Sequence, residues 1–298
     1  MRNEAAGRLY VVATPIGNLG DLSLRARDTL QSCAWIAAED TRHTGVLLKY
    51  FGIQTPQLSL HDHNEQHRAA EIVRRLQQGA SVALVSDAGT PAISDPGFEL
   101  VRAVAAGGFE IIAIPGPCAA IAALSIGALP TDRFCFEGFL PARAAARRKR
   151  LQSLASESRT LVLYEAPHRV RDTLEDCAAA FGDARRATVA REITKMHETT
   201  YRGTLREMCV RAHADVDVGR GEIVLLIGGA PPVAAGAEGE GSRDGADGHG
   251  GALDRVLKIL LTELPLKQAA HLAAQITEVR GNEAYKRALQ LRRESASH

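Results

Sequence analysis

The sequence predicts an α/β fold with two α/β domains followed by a small C-terminal helical domain. Over roughly the first 230 residues, short strands that are apolar along their whole length alternate with amphipathic helices. Four segments rich in Gly and Pro follow predicted strands, as expected where parallel strands end. A chain of 298 residues also exceeds the size at which one hydrophobic core usually stops growing, so we expect a domain boundary inside it.

The first domain, residues 1–116, is predicted to be doubly wound. Strands that are apolar throughout need cover on both faces, which is typical of a parallel sheet between two layers of helices. We expect strands at 8–13, 34–38, 81–85 and 110–114, and helices at 22–30, 42–50, 64–78 and 98–106.

The second domain, residues 117–229, is predicted to contain a mixed sheet, because its late strands follow one another directly. After an Ala-rich helix, we expect strands at 134–137, 160–164, 187–192, 199–202 and 222–227, with helices at 144–155 and 168–181. Residues 230–251 are rich in Gly, Ala, Pro and acids without periodicity, which indicates a flexible linker. Residues 252–298 show three helical apolar stripes and predict a helical mini-domain.

The composition is typical of a globular enzyme. The formal net charge of +1 is uninformative about a nucleic-acid partner, so evidence for one must be sought in local charged patches. No run approaches the roughly 20 apolar residues that cross a bilayer, and residues 1–7 lead into a strand rather than a signal-peptide core. Five widely spaced cysteines without a CxxC pair disfavour a disulfide framework or a zinc site. We therefore expect a soluble, unprocessed protein of the cytoplasm without a membrane partner.

The four Gly/Pro-rich segments are the candidates for a ligand site. They occupy 14–21, 87–97, 115–119 and 165–169, and segments at strand ends of an open sheet should converge on one cleft. Neither GxGxxG nor GxxxxGK[ST] occurs, so a dinucleotide or nucleoside triphosphate is not the expected ligand. The set favours a nucleoside-like ligand without phosphate, such as S-adenosylmethionine. Each segment alone also fits an ordinary turn between strand and helix.

Eight motifs, in order, resemble the signature stretches of the ribosomal RNA small subunit methyltransferase I family. They are LYVVATPIGNLGDLSLRA, AEDTRHT, HDHNE, SDAGTPAISDPG, IPGPCAAIAAL, LPTDRFCFEGFLP, LYEAPHRV and REITKMHE. The resemblance runs from about residue 9 to residue 228 and extends to the C-terminal helices. It implies the tetrapyrrole-methylase fold, a cofactor cleft between the two α/β domains, and S-adenosylmethionine-dependent 2′-O-methylation of a cytidine in 16S ribosomal RNA. It also implies a homodimer.

The resemblance further implies which residues contact the cofactor. Three loops supply them, and a possible contribution comes from the facing side, where Tyr164 and Glu165 lie. Matched by position, the loop residues are Ile16, Gly17, Ala88, Gly89, Thr90, Pro115, Gly116, Cys118 and Ala119.

Polar residues in REITKMHE and YEAPHR are the candidates for catalysis. Methyl transfer from a sulfonium needs alignment of the nucleophile and removal of its proton, and no metal is required. Our hypothesis is that Lys195 or Glu192 assists deprotonation while Arg169 or Arg191 holds an RNA phosphate, with Glu165 also in the catalytic set. Ion pairs that join strand ends are the alternative for each residue.

Two further clusters have alternative interpretations. His61, His63 and His67, with Asp40 or Asp62 nearby, have a spacing that could bind a metal, but we expect a structural or substrate-facing role and no metal. The segment from Glu39 to Arg42 follows a short strand, so it fits either the cleft or a helix N-cap.

A basic run is the candidate RNA surface. We expect it to bind phosphates without reading sequence, together with His168 and Arg169, although a solvated helix face is the alternative. The C-terminal helices carry eight Lys and Arg against five acids, which favours an accessory RNA-docking module. Their PLKQAAHLAAQIT stretch has some helix-turn-helix character, although simple packing of three helices also explains it. The run consists of Arg143, Arg147, Arg148, Lys149 and Arg150.

Other functions remain open at this point. A precorrin-type or uroporphyrinogen methyltransferase, or a diphthine synthase, would share the fold, but a tetrapyrrole enzyme has no need of the basic run or the C-terminal helices. A non-catalytic RNA-binding or nucleotide-binding module would leave the polar residues of REITKMHE and YEAPHR without a role. Transfer of a methyl group from the cofactor separates these alternatives.

Overall fold

The computed structural model describes residues 7–231, 250–277 and 279–295. The chain forms two compact units, the first ending at Ala230 and the second beginning at Pro231. Most of the predicted linker, residues 232–249, lies outside the described residues. Within the described part, no helix combines the length and apolar character that a membrane crossing requires.

The first sheet contains five parallel strands in the order β3-β2-β4-β1-β5. The sequence did not predict β3, which has polar residues at both ends and lies at the edge of the sheet, where no apolar run is required. The strands are β1 (Arg8–Val12), β2 (Trp35–Ala38), β3 (Gln57–Ser59), β4 (Val82–Val85) and β5 (Glu110–Ile114).

Helices cover both faces of this sheet, which confirms the predicted doubly wound arrangement. One core contains Leu30 and Ile36, and the opposite core contains Leu9, Ile72 and Leu100. All five side chains are fully buried, as expected for a parallel sheet between two layers. The helices are α1 (Leu24–Ser32), α2 (Thr41–Tyr50), α3 (Glu65–Gln77) and α4 (Phe98–Ala106).

The second sheet is mixed, as predicted, with the order β6-β7-β10-β8-β9. Only β6 and β7 run parallel, and the other neighbours are antiparallel. The strands β6, β7 and β8 therefore end at the same edge of the sheet, where β10 begins. The elements are α5 (Ala119–Ile126), β6 (Phe134–Phe139), β7 (Thr160–Glu165), β8 (Arg186–Arg191), β9 (Thr199–Thr204) and β10 (Ile223–Ile227).

Three more helices accompany this sheet: α6 (Ala144–Ser153), α7 (Val170–Phe181) and α8 (Leu205–Ala214). The helix α8 was not predicted from the sequence, although its start carries a recognisable signal. Thr204 and Glu207 form a capping box, in which each side chain accepts a hydrogen bond from the other residue's backbone N–H. The helix then buries Leu205 and Met208 against the sheet.

The C-terminal unit contains the three predicted helices, α9 (Gly250–Glu263), α10 (Leu266–Thr277) and α11 (Gly281–Ser295). Leu257, Ala273 and Ala288 are fully buried in their shared core. An ion pair between Arg287 and Asp254 joins α11 to α9. Small alanines at the contacts let the helices approach closely, so this unit has a core of its own.

Candidate active site

A cavity of about 360 Å³ lies between the edges of the two sheets where the chain leaves β1, β4, β6 and β7. All four Gly/Pro-rich segments contribute to it, so the predicted convergence is confirmed. Its volume is in the range of sites for small organic ligands. The lining residues outside the predicted set are Ile93, Ser94, Asp95, Phe139, Ala166, Pro167, Ile193, Gly221, Glu222, Ile223 and Val224.

Backbone contacts hold three of the loops together at the cavity. The N–H of Thr14 donates to the carbonyl of Gly89 at 2.9 Å, and the N–H of Gly89 donates back to the carbonyl of Thr14 at 3.1 Å. The hydroxyl of Thr90 donates to the carbonyl of Pro117 at 3.2 Å. Gly89 has a φ of 83°, which favours glycine, so the sequence meets a backbone requirement here.

Most of the residues expected to contact a cofactor line the cavity. Gly17 does not line it and instead lies beneath the side chain of Lys195. Pro115 and Gly116 also lie outside the lining, and Gly116 packs so close to Ala13 that a Cβ atom would come within 3.0 Å of the alanine Cβ. The lining residues from the predicted set are Ile16, Ala88, Gly89, Thr90, Cys118, Ala119, Tyr164 and Glu165.

Aromatic rings form one wall of the cavity. The ring of Tyr164 packs edge-on against Phe136 and Phe139, with centroid distances of 5.1 and 5.6 Å. Its hydroxyl accepts a hydrogen bond of 3.3 Å from the N–H of Ala120 at the start of α5. Burial raises the pKa of Tyr164 to about 12, so the phenol is neutral at physiological pH. Phe139 is 55% exposed and therefore presents an apolar ring at the cavity mouth.

The charge of the lining restricts the ligand. Among the described residues that line the cavity, Asp95, Glu165 and Glu222 are acidic and none is Lys, Arg or His. A phosphate would meet no cationic side chain in the lining, whereas a ligand with a net positive charge would be attracted. The site is therefore suited to a compact organic cation.

Glu165 lies at the end of β7 with a fully buried carboxylate. It accepts hydrogen bonds from the hydroxyl of Thr173 at 2.6 Å and from the N–H of Ala166 at 2.8 Å. Nε of Arg169 approaches Oε1 to 3.2 Å without hydrogen-bond geometry, while Nη2 of Arg169 donates to the carbonyl of Leu140 at 2.7 Å. These contacts engage both side chains and join the end of β7 to the end of β6. Neither residue therefore offers a free group for catalysis or for RNA binding. His168 is exposed.

Glu192 and Lys195 form an ion pair at the edge of the cavity. Nζ of Lys195 lies 2.9 Å from Oε1 of Glu192 and 3.1 Å from Oε1 of Glu222. Although partial burial opposes both shifts, the hydrogen bonds and opposite charges lower the pKa of Glu192 and raise that of Lys195. A carboxylate with a lowered pKa and an ammonium with a raised pKa are both poor proton acceptors. The geometry thus disfavours the hypothesis that either residue removes a proton.

Arg191 is buried, and its guanidinium donates hydrogen bonds to backbone carbonyls. Nε donates to the carbonyl of Arg220 at 2.8 Å, and Nη1 donates to the carbonyl of His197 at 3.2 Å. These contacts fix the turn after β8 against the start of β10. The structure therefore removes Arg191 from the predicted phosphate contacts and gives it a positioning role.

Asp95 is an ionisable residue of the cavity that, like Glu222, was not among the residues predicted from the sequence. Burial raises its pKa to about 6, with further contributions from the negative charges of Glu39, Asp87 and Asp62. A hydrogen bond with Ser86 acts in the opposite direction. The sequence gives no local indication of this raised pKa, because these groups come together only when β2 and β4 are neighbours in the sheet.

The loop that carries Asp95 has a strained backbone and fixed ends. Ala92 and Ser94 have φ values of 67° and 65°, in the left-handed region that non-glycine residues rarely adopt. At the end of the loop, Oε1 of the buried Glu65 accepts hydrogen bonds of 3.0 Å from the N–H groups of Gly97 and Leu100. These hydrogen bonds anchor the C-terminal end of the loop, whose residues Ile93, Ser94 and Asp95 line the cavity.

The histidine cluster does not assemble a metal site. The rings of His61 and His63 pack edge-on at 5.9 Å, and Nε2 of His61 contacts Nδ2 of Asn64 at 3.1 Å. No group of three or more His, Cys, Asp or Glu in the described ranges has a geometry that could hold a metal ion. Asp40 is the N-cap of α2, where its carboxylate accepts from the N–H of Arg42 at 2.8 Å.

The basic run divides into paired and unpaired residues. Arg147 is only 3% exposed, and its Nε lies 2.7 Å from Oδ2 of Asp176, whose Oδ1 pairs with Arg148 at the same distance. The structure therefore corrects the assignment of Arg147 to RNA, because its guanidinium is buried between α6 and α7. Arg148 is exposed but paired. Arg150 is exposed and pairs with Glu137.

Comparison with known proteins places this fold and site in a class. Residues 8–209 match the family model described as Tetrapyrrole (Corrin/Porphyrin) Methylases, and residues 247–292 match the RsmI C-terminal HTH domain. The fold is thus that of a tetrapyrrole-methylase-type methyltransferase with an added helical domain.

Close relatives narrow the class. The chain is 51% identical over 288 residues to the ribosomal RNA small subunit methyltransferase I of Pseudomonas aeruginosa, covering 96% of this chain and 98% of that protein. It is 47% identical to the protein of the same name from Escherichia coli O157:H7, covering 97% and 96%. The chain belongs to the ribosomal RNA small subunit methyltransferase I family.

Solved structures agree on the fold. The methyltransferase CobJ superposes with a TM-score of 0.57 at 20% identity, covering 76% of this chain and 95% of that one. Uroporphyrin-III-C-methyltransferase from Thermus thermophilus gives 0.52 at 19% identity, covering 74% and 94%. In both comparisons the matched region amounts to about three quarters of this chain.

Proposed function

We propose that this protein transfers a methyl group from S-adenosylmethionine to the ribose 2′-oxygen of a cytidine in small-subunit ribosomal RNA. The observation that carries the proposal is sequence identity. Over nearly its whole length, the chain is about half identical to relatives that are named for ribosomal RNA methylation. The cavity is consistent with it, since its lining offers acidic and apolar groups to a cationic donor that has no phosphate.

Residues of the three joined loops would hold the methyl donor. Ile16, Gly89 and Ala119 offer backbone and small apolar surfaces, and Tyr164 offers an aromatic face. Acidic lining suits a molecule that carries both a sulfonium and an ammonium group. When bound, the donor supplies a methyl group on a positively charged sulfur, which makes the sulfur a good leaving group without acid catalysis.

The remaining work of the protein is alignment. The nucleophile must approach the methyl carbon in line with the bond that breaks, and a walled cavity restricts both partners to that geometry. The exposed ring of Phe139 at the cavity mouth is suited to stacking on an unpaired base, which is the usual way in which proteins hold single-stranded RNA. We therefore place the target nucleotide against Phe139.

Arg143 and Lys149 would bind the RNA backbone close to the cavity. Both are exposed, and within the described part of the chain neither forms an ion pair. His168 is exposed in the turn just before α7 and completes this group. Lysine and arginine contacts of this type contribute affinity that depends on salt but not on sequence.

The C-terminal helices would form an accessory RNA-docking module. Lys258, Lys267 and Lys286 are exposed on three different helices, and Tyr285 adds an exposed aromatic ring. Basic and aromatic side chains together are typical of RNA-binding surfaces. Deletion from Leu253 onward is expected to weaken binding to small ribosomal particles, and unchanged affinity would refute this role. We also propose that the protein acts in the cytoplasm and forms a homodimer. Sedimentation of the purified protein tests the homodimer.

The test of the proposed activity is a transfer assay with tritiated S-adenosylmethionine. Candidate substrates are small ribosomal subunits lacking the modification, naked 16S RNA, a tetrapyrrole and protein from the same cells. Label in RNA supports the proposal. Label in the tetrapyrrole or in protein would support the alternative methyltransferases, and cofactor binding without transfer to any of them would contradict the RNA assignment.

A further inference from the structure

We propose that the carboxylate of Asp95 accepts the proton of the hydroxyl group that becomes methylated. This inference rests on the proposed function. In the step, the hydroxyl oxygen forms a bond to the methyl carbon while the carbon–sulfur bond of the donor breaks and its electron pair stays on sulfur. The hydroxyl O–H bond breaks, the proton passes to the Asp95 carboxylate, and water removes it afterwards.

Asp95 lies where it can contact a bound substrate. The residue lines the cavity and is partly buried, so a group bound there can reach it while bulk water has limited access. In the loop, Asp95 follows Ala92 and Ser94, which have positive φ values, and precedes Gly97, whose N–H donates a hydrogen bond to Glu65. Strained backbone that the surrounding structure holds in place is typical of functional loops.

The other carboxylates of the lining and the phenol of Tyr164 are engaged in contacts within the protein. Glu165 is fully buried and saturated by Thr173 and the backbone. The carboxylate of Glu222 is 68% exposed and paired with Lys195. Tyr164 is a neutral phenol whose hydroxyl accepts a backbone hydrogen bond. Asp95 differs from these acids, because none of the ion pairs among the described residues involves it.

The electrostatic surroundings give Asp95 the basicity that the step requires. The charged groups around it are Glu39, Asp87 and Asp62, all of them carboxylates, and with burial they raise its pKa to about 6. At neutral pH it is therefore ionised, yet it binds a proton more strongly than an ordinary carboxylate. General bases are most effective when their pKa lies near the working pH.

The experiment compares the full-length wild type with Asp95→Asn, which keeps the shape and removes the proton acceptor, and with Asp95→Glu. Asp62→Asn is the matched control, because it removes a neighbouring carboxylate that does not line the cavity. Single-turnover methylation of small ribosomal subunits is followed from about pH 5 to pH 9 at saturating S-adenosylmethionine, and calorimetry gives the affinity for the cofactor.

The expected wild-type rate rises with pH, has its midpoint near the pKa of Asp95, and then becomes constant. Asp95→Asn is expected to lose about 100-fold in rate and to lose this rise, while cofactor affinity falls by no more than about tenfold because one negative charge is lost from the lining. Asp95→Glu should recover part of the rate. Asp62→Asn should keep the full rate and move the midpoint slightly lower, because one negative neighbour is gone.

Two results would overturn the proposal and leave the RNA methyltransferase activity standing. One is an Asp95→Asn variant with the wild-type rate and pH profile. The other is a variant that binds the cofactor weakly but reacts at the wild-type rate when saturated, which would make Asp95 a cofactor-binding residue. A wild-type protein that binds the cofactor and transfers no methyl group to RNA would overturn the proposed function and this inference together.

Discussion

The aliphatic stem of Lys195 lies directly on Gly17, so closely that a Cβ atom on the glycine would overlap it. Gly17 belongs to the loop after β1, and Lys195 belongs to the turn after β8 in the other sheet. A hydrogen bond from the hydroxyl of Thr194 to Asp21 joins the same two segments. This contact fixes the spacing between the sheets beside the cavity.

Replacement of Gly17 by Ala is expected to disturb this contact. The residue has a φ of 142°, which a side chain disfavours, and the new methyl group must displace Lys195. We expect a loss of about 2 kcal/mol in unfolding free energy and weaker cofactor binding, measured by urea denaturation and calorimetry. Gly45→Ala in α2 is the control, since its Cβ would meet only Gln57 at an ordinary 3.5 Å. Equal stability of the two variants would contradict the argument.

Removal of the Lys195 charge tests its positioning role. Lys195→Met keeps the stem over Gly17 but leaves Glu192 and Glu222 facing each other without a cation. The expected result is about a tenfold lower single-turnover rate with an unchanged pH midpoint, and near-complete recovery in Lys195→Arg. If Lys195 itself removed the proton, the pH dependence would disappear with it.

The buried pair between Arg147 and Asp176 is expected to stabilise the fold rather than bind RNA. Arg147→Met leaves Asp176 paired only with the exposed Arg148, which should cost about 3 kcal/mol of unfolding free energy. Denaturant titration measures the loss, with Arg143→Met as the control that should change stability by less than about 0.5 kcal/mol. The contrary result would be a stable Arg147→Met protein with weakened RNA binding.

Arg143 and Lys149 are expected to show the opposite behaviour. Alanine at both positions should leave stability unchanged and weaken binding to small-subunit RNA, since neither side chain forms an ion pair with a described residue. The plot of log affinity against log salt concentration has a negative slope. Its magnitude should decrease by about 1.5 when the two phosphate contacts are lost. Filter binding at several salt concentrations measures this slope, and an unchanged slope would remove the two residues from the RNA surface.

Asp95 makes a prediction for stability that does not depend on activity. Its pKa is raised to about 6 in the folded protein, so the folded state binds the proton more strongly than the unfolded state. Protonation of Asp95 therefore stabilises the folded protein fully at a pH below the pKa of the residue in the unfolded state. This stabilisation is lost as the pH rises through its pKa in the folded state. The unfolding free energy of Asp95→Asn should therefore rise relative to that of the wild type between about pH 4 and pH 6. Above that range the variant should stay more stable by about 1 to 2 kcal/mol, less than the full pKa shift implies because solvent screens a partly exposed carboxylate. A constant difference across this range would contradict the raised pKa.

Much of the fold could be predicted from the sequence, because buried strands and amphipathic helices leave periodic patterns. The pattern failed at β3, where an edge strand of three residues needs few apolar positions. It also failed at α8, whose capping box was present but was not used as a helix signal.

The cavity loops could also be located in sequence, because Gly and Pro mark where strands end. The roles of the charged residues could not, since a sequence does not show which partner each charge meets. Lys195 and Glu192 neutralise each other, Arg191 and Arg147 are buried in contacts with distant segments, and Asp95 acquires its neighbours from β2 and β4.

Identification of the methylated nucleoside tests the proposed activity most directly. Small subunits lacking the modification are labelled with the purified protein and S-adenosylmethionine, and their RNA is digested to nucleosides for mass spectrometry. The expected product is 2′-O-methylcytidine from a single site. A methyl group on a base, or the absence of any methylated nucleoside although the cofactor binds, would contradict it.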